Sequence, residues 1–154
     1  MTQMSGLAET CDHTVECIRK DAGAALAEDE RFARKARTGV SQVMMEHVSV
    51  LNEDSIGQVP MDGATVGEVM LRGNVMMKGY LKNPDATGQA LRGGSFHSGD
   101  VAYQHPTGDI KITDRSKGII IPGGENVPPV EVESAPMHHP AVLLCAVVAK
   151  PDAA

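Results

Sequence analysis

Between residues 38 and 114 the chain consists of short apolar stretches cut by turn residues, a pattern that predicts a β-rich region. The punctuating pairs are Asp62-Gly63, Gly73-Asn74, Asn83-Pro84 and Gly93-Gly94, followed by Pro106-Thr107-Gly108. Strands are predicted at residues 47–51 and 67–71. Residues 100–104 and 109–113 flank a turn with Pro106 at its second position and Gly108 at its fourth, so they should form a hairpin. One short helix is predicted over residues 84–91, with Asn83 as N-cap and Pro84 in the first position. Ahead of this region, residues 21–37 are rich in Ala, Glu and Arg and lack proline. They predict a surface helix with Leu26, Phe32 and Ala33 on one side and charge on the other. Glu30 and Arg34 stand four apart in the favourable order, which reads as a solvated charged face rather than as catalytic machinery.

Past Asp114 the pattern starts afresh. An apolar triplet at residues 119–121 leads to a Gly123-Gly124 turn, then to a helix expected over residues 129–138 and a buried strand at residues 141–149. Pro136 falls inside that helix, and an interior proline costs about 3 kcal/mol, so an early end to the helix is expected. The sequence reads as stopping one strand into a larger unit. The fold class expected is α/β to α+β, with a β-barrel-like part over residues 1–113 and the start of a small α+β domain over residues 114–154.

Composition sharpens this picture only in places. The 154 residues are 42% hydrophobic and 22% charged, near the globular average. Aromatic residues make up 3%, with no Trp and nine Met, so the core should be aliphatic and marginally stable. A net charge of −6 with no run of Lys or Arg argues against a nucleic-acid partner. The longest apolar run, residues 141–149, is too short to span a membrane, and the N-terminus lacks a signal-peptide pattern. A soluble, cytoplasmic protein is expected. Cys11, Cys17 and Cys145 make no recurrent spacing and read as reduced thiols.

The candidate chemistry is concentrated in two places. Asp100 follows Phe96-His97-Ser98-Gly99, a glycine turn that should hold its carboxylate rigidly at a strand start. A fixed carboxylate accepts from two vicinal hydroxyls, as acidic residues at strand ends do with a ribose, or simply accepts turn N–H groups. Asp114-Arg115-Ser116-Lys117 then places two cations at the module junction, where they suit a sugar or phosphate or pair with surface acids. Cys11-Asp12-His13 with Cys17 matches no common zinc spacing. His138-His139 suits a helix end, where a cation complements the dipole. His97 lacks a paired nucleophile and reads as structural.

Together, the stretch from Gly67 to Asp152 resembles the ATP-dependent acyl-activating enzymes, also called AMP-binding or acyl-CoA synthetases. The resemblance rests on Gly67-Glu68-Val69, Arg72-Gly73, Met77-Lys78-Gly79-Tyr80, Phe96-His97-Ser98-Gly99-Asp100, Asp114-Arg115-Ser116-Lys117, Gly123-Gly124-Glu125-Asn126 and Glu131-Val132-Glu133, all in order and in register. Upstream, Ser5-Gly6-Leu7-Ala8-Glu9-Thr10 resembles the family's Tyr-Gly-x-Thr-Glu motif, with Ser5 in place of the Tyr and Ala8 in place of the Thr. The wording is similar to plant and bacterial members acting on short, medium-chain or aromatic carboxylic acids.

The resemblance implies a C-terminal fragment of an enzyme that uses ATP, Mg²⁺ and CoA to convert a carboxylic acid to its CoA thioester through an acyl-adenylate. By position, Asp100 would bind both ribose hydroxyls of AMP and Arg115 would contact the ribose from the far side. Gly6 would lie in the nucleotide pocket, Glu9 would meet Mg²⁺, Asp114 would be the hinge, and Gly123 and Gly124 would form the turn on the CoA side. The family's phosphate-gripping loop and its C-terminal catalytic lysine are expected outside this stretch, so the chain alone should be inactive. The alternative is a non-catalytic interaction protein that binds a full-length synthetase. For a full-length member, a peroxisomal location is the second expectation beside the cytoplasm.

Overall fold

The computed structural model describes residues 3–17, 26–52, 57–116, 129–148 and 150. Its centre is a four-stranded antiparallel meander in chain order, β4 (Met45–Leu51), β5 (Val66–Gly73), β6 (Phe96–Gln104) and β7 (Ile110–Arg115). The predicted strands at residues 47–51 and 67–71 lie within β4 and β5. The β6–β7 hairpin closes where expected. The Gly108 N–H donates to the His105 carbonyl at 2.9 Å, and the His105 N–H donates to the Asp109 carbonyl at 2.8 Å. Gly108 supplies the left-handed φ of 86° that the turn needs.

One face of the meander is the core. Val48 and Val50 of β4, Val69 and Leu71 of β5, Phe96 and Ala102 of β6 and Ile110 of β7 are buried together. Leu71 is paired with Val48 on one side and Phe96 on the other. It is 2% exposed, so truncating it to Ala should cost about 2–5 kcal/mol.

A second sheet, absent from the sequence-based expectation, joins β1 (Met4–Gly6), β2 (His13–Glu16) and β3 (Val40–Ser41), all antiparallel. Between β1 and β2 a single 3-10 turn, Ala8–Thr10, is tied by the buried Thr10 hydroxyl. Its oxygen accepts the Leu7 N–H at 3.0 Å, and its proton is shared between the Leu7 and Asp12 carbonyls at 2.8 and 2.6 Å. The two sheets are linked by a bridge between Gly39 and Ile110, in which the Ile110 N–H donates to the Gly39 carbonyl at 2.7 Å. Val15 of β2 completes the core of the meander.

The helices depart from expectation in instructive ways. α1 spans Glu28–Lys35, shorter than residues 21–37, of which 21–25 lie outside the described residues. It carries the Glu30–Arg34 ion pair at 3.4 Å, but it buries no residue. Phe32 is instead 54% exposed between the cations of Arg31 and Lys35, 5.9 and 5.7 Å from its ring centre. α2 (Pro84–Ala90) begins as predicted, with Asn83 Oδ1 accepting the Ala86 N–H at 3.1 Å.

α3 (Pro129–Met137) is not cut short by Pro136. The proline sits in the last turn, where it deletes one backbone hydrogen bond rather than breaking a continuing ladder. His138 Nδ1 then donates to the Ser134 carbonyl at 2.6 Å, satisfying an orphan acceptor at the helix end. The buried strand expected at residues 141–149 is a further correction. Residues 141–148 form no strand, and Leu143 and Leu144 are 97% and 81% exposed. A strand needs a neighbouring edge for its N–H and C=O groups. Here the segment is instead held by Glu133, whose Oε1 accepts the Val147 N–H at 2.8 Å and whose carbonyl accepts from Cys145 Sγ at 3.2 Å. The predicted elements at residues 119–124 lie outside the described residues.

Candidate functional site

The β5–β6 ladder loses its regular register where the candidate chemistry sits. Glu68 is paired with Val101 and Met70 with His97, so the single residue Val69 faces three residues of β6, Ser98, Gly99 and Asp100. Gly99 takes φ 71°, which permits the bulge. Asp100 therefore lies in the middle of the nine-residue β6, not at a strand start after a turn as the sequence suggested.

Side chains satisfy the backbone groups that the bulge frees. Ser98 Oγ donates to the Val69 carbonyl at 2.7 Å and accepts the Asp100 N–H at 3.0 Å. Glu68 uses both carboxylate oxygens: Oε1 accepts the Gly99 N–H at 2.9 Å, and Oε2 accepts from His97 Nδ1 at 2.9 Å. The His97 and Glu68 side chains are 6% and 10% exposed. His97 is thus a buried, paired histidine, in keeping with its structural reading.

Asp100 and Arg115 are cross-strand partners in the β6–β7 ladder, with Arg115 Nε 3.1 Å from Asp100 Oδ1. Asp100 is buried, and burial pushes its carboxyl above the usual Asp range, Arg115 opposing and the Glu68 charge adding to the rise. The Arg115 side chain is 67% exposed. Asp114 Oδ1 accepts the Arg115 N–H at 2.7 Å, while its buried Oδ2 has no hydrogen-bond partner among the described residues.

In front of the bulge is a cleft of about 410 Å³ lined by Glu9, Glu68, Tyr80, His97, Gly99 and Arg115, among others. Glu9 comes from the 3-10 turn and Tyr80 from the loop before α2, and the two meet: the Tyr80 hydroxyl donates to Glu9 Oε1 at 3.1 Å. The Met77 N–H donates to the Glu9 carbonyl at 2.7 Å, and Thr87 Oγ1 accepts the Tyr80 N–H at 2.9 Å, so both ends of the contact are anchored. Partial burial, with Glu9 adding to it, raises the Tyr80 phenol above its ordinary pKa.

Of the sequence-predicted residues, the structure brings Glu9 and Arg115 to one cleft, while Asp100, paired with Arg115, is buried and does not itself line that cleft. Gly6 does not itself line the cleft; it ends β1 beside the lining residue Leu7, and a Cβ there would stand 2.6 Å from the Asp12 carbonyl oxygen. Gly123 and Gly124 lie outside the described residues. Sequence reasoning did not single out Glu68 or Tyr80 individually. A lone carboxylate inside the apolar run of residues 66–71 is the signal that Glu68 needed a buried partner. Among the described residues, no three His, Cys, Asp or Glu side chains gather as a metal site.

No protein-family model matches the chain. Among characterised proteins, it is 48% identical over 147 residues to the peroxisomal acetate/butyrate–CoA ligase of Arabidopsis thaliana, covering 96% of this chain and 26% of that protein. It is 46% identical over 147 residues to an acetate–CoA ligase of Humulus lupulus, again over 96% and 26%. The peroxisomal benzoate–CoA ligase of Arabidopsis thaliana is 43% identical over 146 residues, covering 95% of this chain and 25% of that protein. Among solved structures, O-succinylbenzoate coenzyme A synthetase of Bacillus subtilis in complex with AMP superposes with a TM-score of 0.78 at 28% identity, over 99% of this chain and 29% of that one. The amide bond synthetase of Marinactinospora thermotolerans gives 0.77 at 32% identity, over 99% and 28%. The chain thus spans about a quarter of the length of the relatives it matches. Motifs in register, near-complete coverage of this chain and a shared fold converge on one conclusion: the chain belongs to the acyl-activating, adenylate-forming AMP-binding synthetases and corresponds to a C-terminal piece of them.

Proposed function

We propose that the chain supplies the ribose-side wall of an acyl-activating site and does not turn over substrate by itself. In the reaction proposed for the whole enzyme, a carboxylate oxygen attacks the α-phosphorus of ATP and pyrophosphate leaves. The CoA thiol then attacks the acyl carbon and AMP leaves. The observation that carries the reading is the Asp100–Arg115 ion pair, whose arginine lines the cleft, at the positions where the family resemblance puts ribose recognition.

The residues present fit a nucleotide on one side. A buried, fixed Asp100 carboxylate suits a vicinal diol, and an exposed guanidinium beside it suits the sugar's other edge. Glu9 fits a single carboxylate contact to Mg²⁺, an ion that usually keeps waters and draws further ligands from substrate phosphates. Its oxygen now held by Tyr80 would have to be shared or released. Asp114, the proposed hinge, and Arg115 are the last two residues of β7, which suits a boundary between a large-domain piece at 1–113 and a small-domain piece at 114–154. Gly123 and Gly124 keep their proposed place on the CoA side, and Gly6 its place near the nucleotide. Relatives named for acetate, butyrate and benzoate support a short aliphatic or aromatic acid as substrate. Relatives named peroxisomal support that compartment beside the cytoplasm.

A second reading, a non-catalytic partner of a full-length synthetase, draws on the exposed Leu143, Leu144 and Val148. ATP–pyrophosphate exchange across short aliphatic, medium-chain and aromatic acids, with an active full-length synthetase as control, tests the first reading. No exchange by the purified chain is expected. Exchange lost in Glu9→Ala and Asp100→Ala would show a complete site and overturn the proposal of an inactive wall.

A further inference from the structure

We propose that Glu68 is the positioning residue of this site: through the Gly99 N–H its carboxylate holds the β6 bulge that sets Asp100 behind the cleft. The ribose role of Asp100 rests on the proposed function above, whereas the hold on the bulge does not.

A three-against-one bulge frees backbone groups that an ordinary ladder would pair. Ser98 takes two of them, the Val69 carbonyl and the Asp100 N–H. The Gly99 N–H is taken by Glu68 Oε1 at 2.9 Å, and its acceptor is a charged oxygen within a side chain only 10% exposed. Charge-assisted hydrogen bonds in such surroundings are the stronger kind. A buried carboxylate is tolerated when its other oxygen is also engaged, and His97 Nδ1 does this at 2.9 Å. His97 flanks the bulge on the N-terminal side and Asp100 ends it, so one carboxylate clamps the bulge at its entrance and its middle. Glycine at position 99 is part of the same device. Its φ of 71° is left-handed, and among the described residues a Cβ there would have only Ser116 Oγ within 4 Å, at 3.6 Å, so backbone conformation rather than space calls for glycine. The negative charge of Glu68 also bears on Asp100, raising its carboxyl further. The clamp therefore fixes both the place of the Asp100 carboxylate and part of its electrostatic setting.

The test uses the ¹⁵N-labelled chain and Glu68→Gln, a near-isosteric change that keeps a carbonyl acceptor for Gly99 and a polar partner for His97. Replacing a charged acceptor by a neutral one should move the Gly99 amide proton upfield and speed its exchange with solvent by about threefold or more, with core amides such as that of Val50 unmoved. Glu68→Ala should speed it by at least about tenfold and weaken AMP binding. If Glu68→Ala does not fold, the Gly99 signature in Glu68→Gln decides alone. A Gly99 amide unchanged in shift and exchange in Glu68→Gln overturns the proposal. AMP binding indifferent to Asp100→Ala, with the Gly99 signature present, would refute the ribose reading and leave the clamp standing.

Discussion

Arg115 and Asp100 are at once cross-strand partners and an ion pair at 3.1 Å, so the register of the β6–β7 hairpin and the geometry of the charge pair depend on each other. The pair is lopsided. Asp100 is 7% exposed, while the Arg115 side chain is 67% exposed. An arginine so open to water contributes little to stability through the contact, at most about 1 kcal/mol. It can therefore shift toward a ligand at small cost while the carboxylate behind it stays fixed.

The first prediction concerns pH. Burial raises the Asp100 carboxyl in the folded chain above its unfolded value near 3.8. The folded state then holds its proton more tightly, so the associated stability is present below pH 3.8 and lost as pH rises through the folded-state value. Urea unfolding of the parent and Asp100→Asn between pH 3 and 7 checks this. The stability of the parent relative to the variant should fall as pH rises from 3.8, and a constant or rising difference would refute it.

Asp62 should behave in the opposite sense. Its carboxylate accepts from the Thr65 hydroxyl and from the Thr65 and Ala64 N–H groups, which bring its pKa down to about 2 from 3.8. Stability from this turn is present above pH 3.8 and is lost as pH falls toward 2. Asp62→Ala should therefore destabilise the chain at pH 6 and make little difference at pH 2, as read by denaturant midpoints.

Gly39 tests the link between the two sheets. It has φ 119°, and a Cβ there would lie 2.0 Å from the Glu16 carbonyl oxygen, a backbone atom that has little room to move. Gly39→Ala should cost about 1–3 kcal/mol or more and loosen the Gly39–Ile110 bridge. Gly6→Ala, with a Cβ 2.7 Å from His13 Cα, should also destabilise. Thermal unfolding of both variants provides the measurement, and a Tm unchanged in Gly39→Ala would contradict the described close approach.

How much of this was legible in the sequence differs from element to element. β4, β5, the β6–β7 hairpin and the start of α2 were readable because Pro, Gly and Asn impose local geometry at their ends, as Asn83 does by capping Ala86. β1, β2 and β3 were not, since strands of two to four residues carry no periodicity to read. Residues 141–148 misled because their apolar composition suits a buried strand, but strand formation depends on a partner edge that composition does not encode. Motifs singled out Glu9, Arg115 and Asp100, of which the first two line the cleft. Their setting was not legible, because Gly99 reads equally well as a turn or a bulge until the Met70–His97 pairing is known.

The exposed apolar segment leads to a prediction about behaviour in solution. Leu143, Leu144 and Val148 are 97%, 81% and 80% exposed, surface that favours association. The double variant Leu143→Ser, Leu144→Ser should reduce light scattering at high concentration with Tm unchanged within about 2 °C, because neither side chain packs in the core. The parent should unfold below about 65 °C, in line with a small aliphatic core. A sharp cooperative transition above that temperature would contradict it.

The most direct measurement is a calorimetric titration of the 154-residue chain with AMP, alongside Asp100→Ala and Arg115→Ala. With one wall of a nucleotide site, the chain should bind AMP with a Kd in the millimolar range, about 4 kcal/mol, and both substitutions should weaken binding beyond detection. Binding of AMP that is unchanged in Asp100→Ala and Arg115→Ala would contradict the assignment of this wall to the ribose.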